Sequence, residues 1–290
     1  MKSLKTIFAC AFLLLASGRA AYADLNIGVL APRGELKATT RWAEFGKYLT
    51  AQLKQEVHIV PLAPTKVIDA VKNGQIDVLL SNPAHALTVA ERHGAKHLAT
   101  LSDKEGPQFA GLIITRRDGG LKHVADLKGK TVMTLEDSAS GAYIFQAYHL
   151  RKRGLDVNKD MKRITGKNQD DLVLAVKGGF ADAAFIRTGV LESMARDVKI
   201  GKDDLDVLEP RKDKDFDYPH TTALYPEWYL SVLPKVNGAT AAKLKTAVLN
   251  LKPEDPACVS AKIRFTTPRQ DPYRDSVANV TSGPLSMSLT

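Results

Sequence analysis

Cysteine is almost absent from this chain, which contains only Cys10 and Cys258 among its 290 residues. Cys10 lies in an N-terminal segment that we expect to be removed, so that one thiol remains and an internal disulfide is excluded. We interpret Cys258 as a small buried residue of the core. The alternative is that its thiolate binds a soft ligand such as a trivalent arsenic oxyacid. After residue 23, no apolar run reaches the roughly 18 residues that a membrane-spanning helix needs.

Patterns typical of enzymes and metal sites are missing as well. No G-x-S-x-G turn is present, so the nucleophile elbow of a serine hydrolase is lacking. His93 and His97 are four residues apart, but Gly94 interrupts the helix between them and no carboxylate is suitably placed. Basic residues are scattered among acidic ones, which disfavours a nucleic-acid partner. We therefore expect neither catalysis nor a bound metal or cofactor.

The first 23 residues have the pattern of a secretory signal peptide. Lys2 and Lys5 precede a short apolar segment at 7–16, and Ala21-Tyr22-Ala23 offers a cleavage site after Ala23. Cleavage removes three of the basic residues behind the formal net charge of +9, which leaves a mildly basic protein. We expect an exported protein in the periplasm, monomeric when free, with ordinary globular contents of 44% hydrophobic and 25% charged residues.

Apolar runs typical of buried strands alternate with helical patterns along the rest of the chain. The strand-like runs lie at residues 25–30, 57–62, 76–80, 110–115, 130–135, 162–165 and 181–186. The helical patterns lie mainly at residues 41–55, 65–73, 143–153 and 170–177. This rhythm predicts an α/β fold of two lobes, each a mostly parallel sheet with flanking helices, joined by a hinge.

One turn has the composition of an anion-binding site. The segment EDSASGA at 136–142 follows a strand-like run and leads into a helical pattern. Its hydroxyls and the unpaired N–H groups at the start of the helix suit an anion. An ordinary serine N-cap is the alternative, and the choice depends on whether other polar turns converge on the same place.

Other polar residues follow neighbouring strands, and ligands of open α/β sheets collect at the carboxyl ends of the strands. Gln169 is one of the polar residues that we expect at these strand ends. The others are the residues that we expect to contact a ligand. The predicted ligand-binding set is Arg33, Ser81, Asn82, His85, Ser138, Ser140, Gly141, Lys167, Asn168, Arg187, His220 and Thr221. Arg33, Lys167 or Arg187 would supply charge-assisted hydrogen bonds to an oxyanion, with His85 and His220 as additional donors or as structural histidines.

Three segments carry a family resemblance. DVLLSNP at 77–83, DSASG at 137–141 and AVKGGFADAA at 175–184 resemble the ligand-facing turn, the anion turn and the helix–glycine–strand segment of phosphonate-binding proteins. The chain thus resembles a periplasmic binding protein of the type II solute-binding class. We expect lobe 1 at 24–110 and 214–280 and lobe 2 at 111–213, after the signal peptide at 1–23. The segment 281–290 lacks periodicity and is expected to be a mobile tail.

A narrower resemblance separates two functions within the binding class. GVLAPRG at 28–34, RTGVLE at 187–192 and above all HTTALYPEW at 220–228 resemble the sensor halves of tetrathionate-type histidine kinases and the separate oxyanion-binding proteins that partner such kinases. Trp228 itself is interpreted as core packing beside the hinge. Since no phosphoacceptor region or ATP site follows in the sequence, the expected partner of a sensor is a membrane histidine kinase. The alternative is delivery of phosphonate, phosphite or phosphate-type anions to an ABC permease.

Overall fold

The computed structural model describes residues 24–102, 106–201 and 203–268, so the predicted signal peptide and the predicted mobile tail lie outside the described residues. Fifteen strands occur in these ranges. They are β1 Leu25–Leu30, β2 Val57–Leu62, β3 Val78–Ser81, β4 Lys96–Ser102, β5 Gln108–Phe109, β6 Gly111–Arg116, β7 Thr131–Thr134, β8 Lys162–Thr165, β9 Ala183–Arg187, β10 Leu205–Val207, β11 Arg211–Asp213, β12 Phe216–His220, β13 Tyr225–Pro226, β14 Tyr229–Val232 and β15 Arg264–Thr266.

Nine α-helices occur in the same described ranges, together with 3-10 turns at Pro64–Lys66, Val124–Leu127 and Ser140–Ala142. The α-helices are α1 Glu35–Leu53, α2 Val67–Lys72, α3 Pro83–His93, α4 Ile144–Arg151, α5 Val157–Asp160, α6 Gln169–Lys177, α7 Val190–Arg196, α8 Gly238–Leu249 and α9 Pro256–Ala261. None of the helices in these ranges combines the length and the apolarity that crossing a bilayer requires.

Two mixed sheets form the two lobes, and each has a parallel half and an antiparallel half. In lobe 1 the strand order is β15-β4-β14-β3-β1-β2, with β2, β1 and β3 parallel and the remaining pairs antiparallel. In lobe 2 the order is β10-β6-β9-β7-β8, with β8, β7 and β9 parallel. The α/β two-lobed fold is thus confirmed, while β14 and β6 bring in antiparallel pairs beside each parallel half.

Each lobe has its own hydrophobic core. The first core contains Trp42, Phe45 and Leu49, which recur along one face of α1 because that face packs on the sheet of lobe 1. The second core contains Phe145 of α4 and Phe185 of β9, in the sheet of lobe 2. Separate cores are expected for lobes that move as units around a hinge.

The chain crosses between the lobes through two short antiparallel strands. Tyr225 of β13 pairs with Phe109 of β5, and the Glu227 N–H donates to the Pro107 carbonyl at 2.8 Å. Tyr225 packs in the second core, whereas Trp228 is buried in the first. We infer that the chain returns to lobe 1 between these two residues, later than the predicted boundary at 214.

Two of the polar turns at the carboxyl ends of strands contain an asparagine that caps the following helix. Asn82 follows β3 and accepts the His85 N–H at 3.0 Å, and Pro83 at the first helical position suits the start of α3. Asn168 follows β8 and accepts the Asp171 N–H at 3.0 Å at the start of α6. The caps fix where each helix begins and therefore which residues lie at the interlobe cleft.

Candidate functional site

An open cavity of about 580 Å³ lies between the two lobes. Lobe 1 contributes the turn after β1 and the first two turns of α1, and lobe 2 contributes the end of β9 and one face of α7. The residues that line this cavity include Pro32, Arg33, Lys37, Arg41, Trp42, Gln169, Arg187, Ser193, Arg196, Asp197, Glu227, Trp228 and Lys262. Its volume is in the range of small-molecule sites.

Basic side chains outnumber acidic ones around this cavity. Six of the lining residues are Arg or Lys and two are Asp or Glu. The two tryptophans of the sequence, Trp42 and Trp228, also line it, and the Arg41 guanidinium lies 5.0 Å from the Trp42 ring centroid. An excess of positive charge in a recess with low-dielectric walls attracts small anions.

Arg33 connects the lobes through an ion pair. Its guanidinium donates to both carboxylate oxygens of Asp170 at 2.6 and 3.0 Å, and the Lys37 ammonium reaches the same carboxylate at 2.8 Å. Lys199 of lobe 2 binds it too, at 2.7 Å. Burial raises the pKa of Asp170, but the hydrogen bonds from Arg33, Lys199 and Lys37 outweigh burial and hold that pKa well below its usual range. The carboxylate is therefore ionised at any physiological pH. We call Arg33, Lys37, Asp170 and Lys199 the interlobe ion cluster.

Arg187 occupies the inner end of the cavity, where β9 delivers it as predicted. Its guanidinium donates to the buried Glu227 carboxylate and lies 4.4 Å from the Phe109 ring centroid. Glu227 also accepts the Trp228 N–H at 3.1 Å. Glu227 lies between Tyr225 and Trp228, where the chain returns from lobe 2 to lobe 1, and we call this stretch the hinge segment. The ion pair therefore links lobe 2 to the hinge segment.

The predicted anion turn borders a much smaller cavity, of about 20 Å³, that adjoins the first. Ser140, Gly141, Gln169 and Arg187 are among its lining residues. Ser140 Oγ accepts the Ala84 N–H at 3.1 Å, so one of the two predicted hydroxyls is engaged at the start of α3. This smaller space holds about one water molecule, and the room for a ligand lies on the side of Arg187 and Arg33.

His85 and Ser138 contact each other across the lobes. His85 Nε2 lies 3.0 Å from Ser138 Oγ and 3.1 Å from the Pro64 carbonyl, while Asn82 Nδ2 donates to the Ser138 carbonyl at 3.2 Å. Burial lowers the pKa of His85 to about 4, against a smaller opposing contribution from Pro64. His85 is therefore neutral at pH 7 and serves as a buried connector.

The structure brings some of the predicted polar turns together, and these contact one another as well as the cavity. Asn82, Ser140, Gly141, Arg187 and Arg33 line one of the two cavities. Other predicted residues lie elsewhere. Ser81 is fully buried in β3, Lys167 is exposed beside α6, and Asn168 caps α6.

His220 and Thr221 have structural partners and do not line either cavity. His220 is fully buried between the Tyr218 carbonyl at 2.8 Å and the Asp213 carboxylate at 3.2 Å. Thr221 Oγ accepts the Ile113 N–H at 3.0 Å and donates to the Leu208 carbonyl at 2.9 Å. His220 therefore stabilises the β11–β12 hairpin, and Thr221 holds the segment after β12 against β6 of the lobe 2 sheet.

Sequence reasoning missed several lining residues. Trp42 has the period of a core residue and is buried, yet it also lines the cavity. Glu227 was not predicted to lie at the site, although it stands in the segment 220–228 that carries the narrower resemblance. Lys37 on α1 and Lys262, which follows α9, are single charges that no local pattern marks as site residues.

No group of three or more His, Cys, Asp or Glu side chains in the described part of the chain has the arrangement of a metal site. Cys258 is buried, donates to the Ile263 carbonyl, and does not line either cavity. Burial raises the pKa of its thiol, which disfavours the thiolate that a soft ligand would need.

Comparison with known proteins places this geometry in context. Residues 27–269 match the family described as ABC transporter, phosphonate, periplasmic substrate-binding protein. The tetrathionate sensor histidine kinase TtrS of Salmonella typhimurium is 33% identical over 232 residues, which cover 78% of this chain and 39% of TtrS. The chain therefore spans about two fifths of the length of that relative.

Two solved structures share the fold at low sequence identity. PhnD1 from Prochlorococcus marinus, in complex with methylphosphonate, has a TM-score of 0.73 and 15% identity, and the match covers 89% of this chain and 97% of PhnD1. The binding protein component of an ABC phosphonate transporter from Pseudomonas aeruginosa has a TM-score of 0.72 and 17% identity, with coverages of 89% and 84%.

Proposed function

The chain belongs to the family of periplasmic substrate-binding proteins of phosphonate ABC transporters, and we propose that within it this protein captures a small inorganic oxyanion and presents it to a membrane sensor histidine kinase. The oxyanion would be one of arsenic, sulfur, selenium or phosphorus. Proteins of this family and fold bind small ligands. The identity of the oxyanion and the sensing role are our proposals.

The observation that carries the proposal is the excess of basic side chains around the interlobe cavity. Arg33 and Lys37 come from lobe 1 and Arg187 from lobe 2, so an anion between the lobes is in reach of cations on both sides. Hydrogen bonds to an ionised group contribute about 1.5–3 kcal/mol each, which exceeds what neutral partners contribute. An anion is therefore bound best when the lobes are closed around it, and lobe closure becomes the signal.

A thermal-shift screen tests oxyanion capture directly. The protein from residue 24 onward would be heated with arsenate, arsenite, phosphite, methylphosphonate, selenate, sulfate and tetrathionate at matched ionic strength. A ligand of the folded state raises stability by roughly 2.7 kcal/mol at one hundred times its dissociation constant. A concentration-dependent rise of the melting temperature with one oxyanion supports the proposal, and no rise with any of them contradicts it.

A pair of variants tests whether Arg187 binds the anion. Removing Arg187 alone leaves the Glu227 carboxylate buried without a cationic partner, which would destabilise the fold by about 3–5 kcal/mol. We therefore propose Arg187→Met combined with Glu227→Gln, and Glu227→Gln alone as the matched control. The double variant should bind the oxyanion roughly tenfold to hundredfold more weakly.

The single variant gives the opposite expectation. Glu227→Gln removes the carboxylate that competes for Arg187, so anion affinity should rise while the double variant loses it. Isothermal titration measures both dissociation constants. Equal affinities in the wild type and the double variant would exclude Arg187 from the site.

The name of the relative favours sensing over uptake. TtrS is a tetrathionate sensor kinase and matches 78% of this chain at 33% identity, whereas the phosphonate-binding structures match at 15–17%. Delivery to an ABC permease is the second candidate, supported by the family description. Deleting the gene discriminates between them. Loss of oxyanion-dependent transcription with normal uptake supports sensing, and loss of uptake with intact transcription supports transport.

A further inference from the structure

Gln146 is a fully buried amide in the core of lobe 2. It lies on α4, and its Nε2 is within hydrogen-bond distance of three backbone carbonyls, those of Leu112 at 3.0 Å, Gly141 at 2.9 Å and Ile186 at 2.9 Å. Three acceptor oxygens around one atom require a donor, so the amide nitrogen occupies that position. Its Oε1 has no hydrogen-bond partner among the described residues.

The three carbonyls belong to segments that lead to the cleft. Gly141 lies in the anion turn, Ile186 precedes Arg187, and Leu112 lies on β6 between β9 and β10. In a trans peptide the C=O and N–H groups point in opposite directions. Because the Ile186 carbonyl points to Gln146, the Arg187 N–H points away from it, and it donates to Gln169 Oε1 in the cleft at 2.7 Å.

The peptide groups of the anion turn are also oriented by Gln146. The Gly141 carbonyl points into the core toward Gln146, as the carbonyls of a helical turn point toward its carboxyl end. The N–H groups at the start of the turn therefore point the other way, and Ser140 and Gly141 line the smaller cavity together with Gln169 and Arg187. One side chain thus orients the anion turn and the end of β9 at once.

Packing around the amide and the anion turn leaves no room for a side chain at Gly111 or Gly141. A Cβ at Gly111 would lie 2.5 Å from Gln146 Nε2, and a Cβ at Gly141 would lie 2.8 Å from the Arg187 Cβ. A buried amide with an unpartnered oxygen is less favourable for stability than a well-packed apolar side chain. The hydrogen bonds from Nε2 to the three carbonyls are therefore what favours a glutamine at this position.

We propose that Gln146 is a positioning residue for ligand binding, which holds the anion turn and the Arg187 segment in one fixed relation through the Gly141 and Ile186 carbonyls. This inference rests on the proposed function, since the segments it positions are those assigned to the oxyanion. Gln146 does not line either cavity and acts on the ligand through the backbone.

The test compares two buried residues of the same helix. Gln146→Met keeps the length and volume of the side chain and removes the donor, whereas Leu150→Ala removes packing one turn further on without touching the three carbonyls. Dissociation constants for methylphosphonate and tetrathionate would be measured by titration calorimetry. Gln146→Met should weaken binding about tenfold or more, and Leu150→Ala should stay within about twofold of the wild type although it lowers the melting temperature.

A ligand-free measurement separates this inference from the proposed function. Protein labelled with ¹⁵N-glycine reports the Gly141 amide by nuclear magnetic resonance, and Gln146→Met should shift that resonance whereas Leu150→Ala should leave it in place. An unmoved Gly141 resonance in Gln146→Met, or an unchanged affinity for a probe that the wild type binds, overturns the inference. A shifted resonance in a protein that binds neither probe supports the positioning role and contradicts the proposed function.

Discussion

Substitution of Asp170 by asparagine should open the two lobes. Asp170→Asn keeps the shape of the side chain but removes the charge that Arg33 and Lys37 of lobe 1 bind at 2.6–3.0 Å. Lys199 lies on the same lobe as Asp170, so its bond persists whether the lobes are open or closed. The bonds from Arg33 and Lys37 are therefore the part of the interlobe ion cluster that favours closure.

The magnitude follows from these contacts. Each charge-assisted hydrogen bond is worth about 1.5–3 kcal/mol when buried. Solvent weakens this set, because the Arg33 and Lys37 side chains are 22% and 41% exposed. We expect Asp170→Asn to destabilise the closed form relative to the open form by about 2 kcal/mol, which is about thirtyfold in the closed-to-open ratio. The apparent dissociation constant for a ligand of the closed form should rise by up to the same factor.

Distances between spin labels would measure the closed fraction. The exposed residues Lys72 of lobe 1 and Lys128 of lobe 2 accept labels after replacement by cysteine, and Cys258 is buried. Asp197→Asn is the matched control, because Asp197 faces the same two cations at 3.5 and 3.8 Å and is 43% exposed. Asp170→Asn should shift the distances toward the open form far more than the control. Identical distance distributions in wild type and Asp170→Asn would refute the reasoning.

Two further predictions concern the anion turn and its connector. Gly141→Ala places a Cβ 2.7 Å from the Phe109 ring and 2.8 Å from the Arg187 Cβ, so we expect a loss of stability of about 1–3 kcal/mol and weaker oxyanion binding by calorimetry. An unchanged affinity would show that Arg187 can move without consequence. The second prediction concerns His85, whose pKa of about 4 in the folded protein lies below its ordinary value of 6.5. The unfolded chain therefore binds the proton first, and stability falls as pH drops from 6.5 toward 4. Urea unfolding at pH 7 and pH 4.5 measures how much the free energy of unfolding falls with pH in the wild type and in His85→Gln. The fall should be smaller in His85→Gln by up to about 2.5 kcal/mol, and equal falls in the two proteins would contradict the prediction.

Local sequence patterns predicted the parallel halves of the two sheets well. The strands Val57–Leu62 and Lys162–Thr165 begin and end where their apolar or alternating runs do, since turns and glycines interrupt those runs. The strand Tyr229–Val232 was missed. It pairs with strands about 130 to 150 residues earlier in the chain, and its direction depends on a crossover that no local pattern encodes.

The site was predictable to the level of which turns meet. In each sheet the carboxyl ends of the parallel strands share one edge. The structure brings Asn82 of lobe 1 together with Ser138, Ser140 and Arg187 of lobe 2 where the two edges face each other. Which polar group binds which was not predictable, because it depends on how closely the lobes approach. Ser140 Oγ accepts the Ala84 N–H across the lobes, and no spacing within either segment signals that bond.

The closed arrangement has a consequence for ligand choice. Glu227 forms an ion pair with Arg187, and Asp170 forms one with Arg33. In each lobe the principal cation at the cavity therefore already has a carboxylate partner. An incoming oxyanion does not meet unpaired cations but must offer them more than a carboxylate does. It can do so with a higher charge or with a third oxygen that reaches Gln169 or the backbone of the anion turn. A monoanionic carboxylate such as acetate lacks both, and we expect it to be rejected at concentrations at which a trigonal or tetrahedral oxyanion binds.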